Sequence, residues 1–371
     1  MKPRYLPADP RAGYLAAREE IDAAIQRVMA SGHYILGPET AAFEAEFARW
    51  LGATGCVGVA NGTDALELAL RAMGVGPGDK VATVANTVSA TAAAITATGA
   101  APFFVEVDPT TMLMDVPALA ALLEARRDPK IKAVIPVHLY GQPVDMPRLM
   151  DVARGHGLAV IEDCAQSHGA EVGGKKAGTW GHLAAFSFYP TKNLGAFGDG
   201  GAVVAADPAH LEKVRLWRQY GWRRRYVSDQ SGRNSRLDEM QAAILRVRLP
   251  RLDQDNAIRA TLAARYHERL AGTPLVLPTT VAGRSHVWHQ YVVRHARRDE
   301  LRARLEAKGV VGGVLYPVPL HRQPAFHRPE ISLPETEAAC AEVFSLPLHP
   351  GLGVADIDTI AGLVLPALVF E

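Results

Sequence analysis

The sequence predicts an α/β protein in two parts: a large domain on a mostly parallel sheet over residues 1–245, and a smaller α+β domain over 246–371. Three observations predict it. Between residues 80 and 207 six short apolar runs follow one another, several of them separated by helix-like segments. The runs are apolar throughout, not alternating, which suits strands buried on both faces; helices between strands suit parallel pairing. The alternation then stops, and the chain of 371 residues is long enough for two domains of about 100–200 residues each.

Taken in order, residues 38–52, PETAAFEAEFARWLG, place Phe43, Phe47, Trp50 and Leu51 on one helical face, with Pro38 in the first turn and Gly52 at the stop. In ANGTDALELALRAM (60–73), Leu66, Ala69, Leu70 and Met73 recur at helical spacing, and Thr63 and Asp64 stand at the helix start after Gly62. The strand candidates are KVATVA (80–85), PFFVEVD (102–108), KAVIPVHLYG (132–141), LAVIEDCAQ (158–166), LAAFSFY (183–189) and GGAVVAAD (200–207). The Ala-rich stretch 90–101, broken by Thr and Gly, reads as a small-residue helix. Residues 238–270 read as one long helix, bent or broken at Pro250. Beyond 272 come a strand (287–294), a helix (298–308), a Pro- and His-rich stretch (316–329) and a closing helix (355–369).

Composition excludes several classes. A net charge of +1 argues against a nucleic-acid binder, which carries a basic balance or face. The three cysteines, Cys56, Cys164 and Cys340, form no CxxC pair, so neither a disulfide framework nor a cysteine zinc site is expected, and a reducing cytoplasm fits. The opening MKPRYLPADP has no apolar core of a secretory leader, and no run of about 18 apolar residues suggests a membrane span.

Three stretches carry chemistry. Asp163, in VIEDCAQSHG (160–169), sits at the C-terminal end of an apolar strand, where α/β sheets put their ligands. A carboxylate there needs a positive partner; a helix cap or a structural ion pair is the alternative. If the strand continues, Ala165 shares the Asp163 face and leaves room for a flat ring. The helix start at Gly62 and Thr63 is a ready phosphate site, although any helix needs a cap. In AFSFYPTKNLGAFGDGG (185–201), Lys192 lies between AFSFY and NLGAF, an odd flank for a surface loop, with Ser187 just before it. A partly desolvated lysine has a lowered pKa and can act as an amine nucleophile. Pyridoxal phosphate (PLP) needs a Schiff-base lysine, an acid at its pyridine nitrogen and a phosphate cup.

With these residues in place the chain resembles the DegT/DnrJ/StrS family of PLP-dependent sugar aminotransferases over nearly its whole length. The motifs are NGTDAL (61–66), PVHLYGQPVDM (136–146), IEDCAQSHGA (161–170), FSFYPTKNLGAFGDGGA (186–202), NSRLDEMQAAIL (234–245), YPVPLHRQPAF (316–326) and SLPLHP (345–350). The resemblance implies an aspartate-aminotransferase-like fold, type I of the PLP enzymes. It implies that Lys192 bonds the cofactor, Asp163 pairs with the pyridinium and Gln166 meets the phenolic oxygen. Gly62, Thr63 and Ser187 would hold the phosphate, joined by Asn234 from the neighbouring subunit of a homodimer with shared active sites. Glu162 would support Asp163 or serve the fold. The family usually stacks an aromatic residue on the ring where ANTVSAT (85–91) has Val88, which can cover the ring face only by dispersion.

The implied reaction moves an amino group from an amino acid, expected to be L-glutamate, to a nucleotide-linked keto sugar. The wording around Lys192 is similar to family members that aminate C3 of a dTDP-3-keto-6-deoxyhexose; 4-keto sugars, cyclitol ketones and a noncatalytic PLP- or sugar-binding regulator are the alternatives. The family's sugar dehydrases replace the lysine with histidine, so dehydration is not expected. Tyr316, His321 and Arg236 are candidate substrate contacts, with His321 alternatively a core histidine and Arg236 an ion-pair partner of Asp238 or Glu239. Arg223, Arg224 and Arg225, followed by Tyr226, either meet a diphosphate and base or form a solvated loop face. His286 and His289 sit three apart without an acidic neighbour, so no metal is expected.

Overall fold

In the computed structural model, which describes residues 5–369, seven strands form the central sheet. They are β1 (Gly55–Val59), β2 (Lys80–Val84), β3 (Ala101–Val105), β4 (Ile131–Val134), β5 (Ala159–Asp163), β8 (Leu183–Ser187) and β9 (Gly201–Ala205). Two short pairs, β6 (Glu171–Val172) with β7 (Lys175–Lys176) and β10 (Trp222–Arg224) with β11 (Val227–Ser228), lie outside it, as does the antiparallel pair β12 (Tyr291–Arg294) and β13 (Val343–Leu346). The first four residues of the opening stretch read for a leader lie outside the described residues.

The sheet order is β1-β9-β8-β5-β4-β2-β3, and only β9 runs against the others. All six remaining strands therefore end at one edge. The two-sided burial inferred from the apolar runs is visible residue by residue. Leu183 and Ala185 of β8 join one core, whereas Ala184 and Phe186 join the core on the opposite face. Helix Pro38–Leu51 supplies the second face: Phe43 and Phe47 are fully buried and meet Phe186 and Phe188 edge to face at 5.0–5.4 Å.

All six predicted strands exist, shortened at their ends. β1 does not stand out in the sequence because two of the five residues of GCVGV are glycine, which leaves too little apolar bulk. The predicted long helix breaks where expected: Glu239–Arg248, a 3-10 turn Leu249–Arg251, then Leu252–Leu270. The predicted strand 287–294 begins only at Tyr291, because 287–290 instead bonds back to the large sheet's loops through Val287 N–H to Gly141. A separate core gathers Leu262, Tyr266, Tyr291, Leu301, Phe344 and Ile360, and Tyr5 from the N-terminal segment packs into it. Among the described residues no helix is long and apolar enough to cross a membrane.

Candidate active site

Because the parallel strands end together, the chemistry-bearing residues gather at one sheet edge. Asp163 is the last residue of β5, Ser187 the last of β8, and the loops after β1, β2 and β4 bring Gly62, Thr91 and Tyr140 beside them. Asp163 is buried. Its Oδ1 accepts the Ala165 N–H at 3.1 Å and its Oδ2 the Thr91 hydroxyl at 3.1 Å. The strand stops here, so Ala165 does not continue the Asp163 face; it turns back and caps the carboxylate. Burial pushes the Asp163 carboxyl above its usual range, opposed by those two donors and by the charge of Lys192.

Lys192 lies in the loop after β8, half-buried. Desolvation lowers its pKa to about 8, and the negative charge of Asp163 opposes that shift. The next residue anchors it. Asn193 donates from Nδ2 to Asn256 Oδ1 (2.8 Å) and to the Val287 carbonyl (3.0 Å), so its Oδ1 faces His289 Nδ1 at 3.0 Å as acceptor. The ring must therefore carry its proton on Nδ1. Burial, with the charges of Lys192 and Arg259, holds His289 neutral. The loop is held further by Gln241, which accepts the Phe197 N–H at 2.9 Å, and by Arg248, which donates to the Gly195 carbonyl. Asn193, Asn256 and Gln241 were not found from sequence; amides with no charge and no spacing rule give no signal there.

Asn61 caps helix Gly62–Ala72, its Oδ1 accepting the Asp64 N–H at 2.8 Å. That leaves the Gly62 and Thr63 end of the helix facing Ser187. A Cβ on Gly62 would lie 2.8 Å from Ser187 Cβ, so only glycine lets the helix start approach this closely. A helix N-terminus, a buried hydroxyl and a close backbone approach suit a phosphate group. The donor set therefore fits PLP: an acid at a strand end, a desolvated lysine and an anion cradle at one edge.

Gln166 Oε1 accepts the Tyr140 N–H at 2.6 Å, which turns its NH₂ outward, 3.4 Å from the Tyr316 hydroxyl. Tyr316 thus borders the site, and burial raises its phenol pKa, with Asp163 adding to the shift. His321 is fully buried, its Nε2 3.0 Å from Glu337, in a cluster with Phe104 and Leu320. It serves the core and presents no surface to a ligand. Val88 is exposed at the N-cap of helix Ser89–Ala97, in extended backbone. Asn234 is exposed.

Arg236 pairs with neither acid proposed for it. Its guanidinium lies over the Tyr220 ring at 5.8 Å, while the Glu239 carboxylate takes the N–H groups of Gly37, Glu39 and Thr40 at the start of helix Pro38–Leu51. Arg223 is held by Asp229 at 3.1 Å; Arg224, Arg225 and Tyr226 are exposed on the β10–β11 hairpin. Glu162 faces away from Asp163 and holds the fold: its two oxygens accept the N–H groups of Gly178, Trp180 and Gly181 at 2.8 Å and the Nε2–H of His138 at 3.0 Å. His138 Nδ1 takes the Val144 N–H. The group His138, Glu162 and Cys164 is compact enough for a metal, but these bonds already occupy the carboxylate and both ring nitrogens, and burial keeps the Cys164 thiol protonated. His286 stacks on Trp288 at 3.9 Å and accepts its N–H.

A sheet edge carrying a strand-end acid, a desolvated lysine and an anion cradle defines the class of the aspartate-aminotransferase-like enzymes. Residues 16–365 match the DegT/DnrJ/EryC1/StrS aminotransferase family, and the chain belongs to that family. It is 50% identical over 355 residues to the dTDP-3-amino-3,4,6-trideoxy-alpha-D-glucose transaminase of Streptomyces venezuelae, covering 94% of this chain and 92% of that one. It is 46% identical to the erythromycin biosynthesis sensory transduction protein EryC1 of Saccharopolyspora erythraea, with 95% and 96% covered. The crystal structure of S. venezuelae DesV in complex with a ketimine intermediate superimposes with a TM-score of 0.96 at 46% identity, over 100% of both chains. The protein is a sugar aminotransferase of fold type I, and its family implies PLP.

Proposed function

We propose that the protein aminates C3 of a nucleotide-linked 3-keto sugar, a dTDP-3-keto-6-deoxyhexose, using L-glutamate as donor and PLP as cofactor. The observation that carries the reading is the convergence of Lys192, Asp163, Gln166, Gly62 and Ser187 at one sheet edge. The substrate class rests on the named activity of the 50% identical relative.

PLP, when bound, supplies the electron sink that lets an amino group pass from donor to acceptor. The chain's residues do the rest. Asp163 would meet the ring nitrogen and keep it protonated. Lys192 would hold the cofactor covalently and, when released, its Nζ would take the proton from the donor's α-carbon and return it as an acid, a task that the desolvation lowering its pKa to about 8 favours in both directions. Gln166 would donate its outward NH₂ to the phenolic oxygen, since its 3.4 Å bond to Tyr316 is long and easily exchanged. Gly62, Thr63 and Ser187 take the phosphate. Asn234 reaches the phosphate of a second subunit, a role that its exposure supports, and Arg224, Arg225 and Tyr226 are free to meet the sugar nucleotide there. Val88 covers one ring face by dispersion alone. The protein works in the cytoplasm as a homodimer with two shared sites.

The test is the visible spectrum of the PLP-loaded protein. Loss of the yellow colour on adding L-glutamate, and its return on adding the dTDP-3-keto sugar, is expected. Loss without return would reject that sugar and leave 4-keto sugars and cyclitol ketones. A wild-type protein with no Lys192-dependent colour would overturn the reading.

A further inference from the structure

Thr91 lies in the first turn of helix Ser89–Ala97, and both it and Thr87 are buried. The two hydroxyl oxygens are 3.1 Å apart, and the Thr91 hydroxyl is also 3.1 Å from Asp163 Oδ2. A hydroxyl has one proton. The Asp163 carboxylate can only accept, so the Thr91 proton points at Asp163, and the Thr87 proton must then point at Thr91. The chain of donors runs one way and ends on the carboxylate.

Packing alone does not call for this. Valine has nearly the volume of threonine and buries without needing a partner, and helix Ser89–Ala97 is otherwise mostly alanine and isoleucine on its buried side. Two buried hydroxyls, four residues apart and aligned on one acid, are therefore tied to that acid. We infer that Thr87 and Thr91 form a directed hydroxyl relay that fixes the Asp163 carboxylate and favours its ionised form, making Thr91 a positioning residue for the pairing of Asp163 with the PLP ring nitrogen.

This rests on the cofactor reading above. The relay opposes burial, which favours the neutral acid. The other groups around Asp163 are Lys192 from the loop after β8, His138 from the loop after β4, the Tyr316 phenol and the neighbouring Cys164 thiol. Of these, His138 directs its Nε2–H to Glu162, and Lys192 is committed to the cofactor when PLP is bound, so Thr91 is the side-chain donor left on Asp163 in the loaded protein. The hydroxyl polarised by Thr87 is a stronger donor than an isolated one.

The experiment compares Thr91→Val, Thr91→Ser and Thr87→Val in the full chain. PLP affinity is read by fluorescence titration, and the Asp163 carboxyl is titrated in apo protein by difference infrared spectroscopy against Asp163→Asn. Thr91→Val is expected to weaken PLP binding about ten- to a hundredfold, the size of a charge-assisted hydrogen bond, and to move the Asp163 titration to higher pH. Thr91→Ser should restore both, and Thr87→Val should give a smaller shift in the same direction. Unchanged affinity and titration in Thr91→Val overturn the inference. Equal loss in the valine and serine variants, with a lower apo melting temperature, also overturns it, since that is a packing effect. If the titration shifts as expected while wild-type protein binds no PLP, the relay stands and the cofactor reading falls.

Discussion

Replacing Lys192 with methionine, a side chain of similar length without charge, is expected to abolish transamination and at the same time to stabilise the apo protein. The lysine pKa falls from 10.5 to about 8 in the folded chain, chiefly by desolvation. At 1.36 kcal/mol per unit this is about 3 kcal/mol of penalty for folding with the charged amine. The side chain is only half-buried, so solvent screening reduces the figure to about 1–2 kcal/mol. The sign follows from proton binding. Between pH 8 and 10.5 the unfolded chain holds a proton that the folded chain has released, so wild-type stability rises with pH through that window. The advantage of Lys192→Met should be full below pH 8, shrink between pH 8 and 10.5, and vanish above. Guanidinium unfolding of both apo proteins at pH 7 and pH 10.5, at one fixed protein concentration, reads it. A Lys192→Met protein less stable than wild type at pH 7, or a gap that ignores pH, would refute the claim that the lysine is held against its solvation preference.

Glu162→Ala removes the acceptor of one buried and two part-buried backbone N–H groups and of His138, and should destabilise by about 3–5 kcal/mol in urea unfolding, with Glu162→Gln recovering part of the loss. Phe188→Ala empties the junction of Phe43 and Phe47 and should lose about 3–5 kcal/mol, read the same way. Gly62→Ala puts a Cβ 2.8 Å from Ser187 Cβ and should raise the PLP dissociation constant about tenfold or more, measured by equilibrium dialysis, with little change in turnover per bound cofactor.

What could be read from the sequence follows from what each feature needs. Strands buried on both faces must be apolar at every position, so all six candidate runs were legible, whereas β1, with Gly55 and Gly58 among its five residues, was not. Lys192 and Asp163 were legible because a charge flanked by apolar residues is costly and needs a reason. Glu239 was misread for Arg236 because its partners, the amides of Gly37, Glu39 and Thr40, lie about 200 residues away. His321 shows the same limit: a buried imidazole paired with Glu337 and one bordering a substrate have the same sequence.

The hidden residues share a property that explains both their silence and their use. Asn193 joins Lys192's loop to Asn256, Val287 and His289, and Gln241 holds the same loop through the Phe197 N–H. These neutral amides fix geometry without adding charge near an amine whose pKa must stay low. A lysine in the place of Asn193 could not accept from His289 and a carboxylate could not donate to Asn256 and Val287; in addition a cation would push the Lys192 pKa further down and an anion would raise it. Neutral hydrogen bonds leave the electrostatic setting to burial and Asp163, the two causes found for Lys192. Asn193→Asp keeps the acceptor for His289 but loses both Nδ2 donors, as Asn193→Ala also does, so the difference between the two variants reads the new charge next to Lys192, which should move the upper limb of the pH–rate profile to higher pH. An unmoved limb would show that the loop, and not the charge balance, is what Asn193 protects.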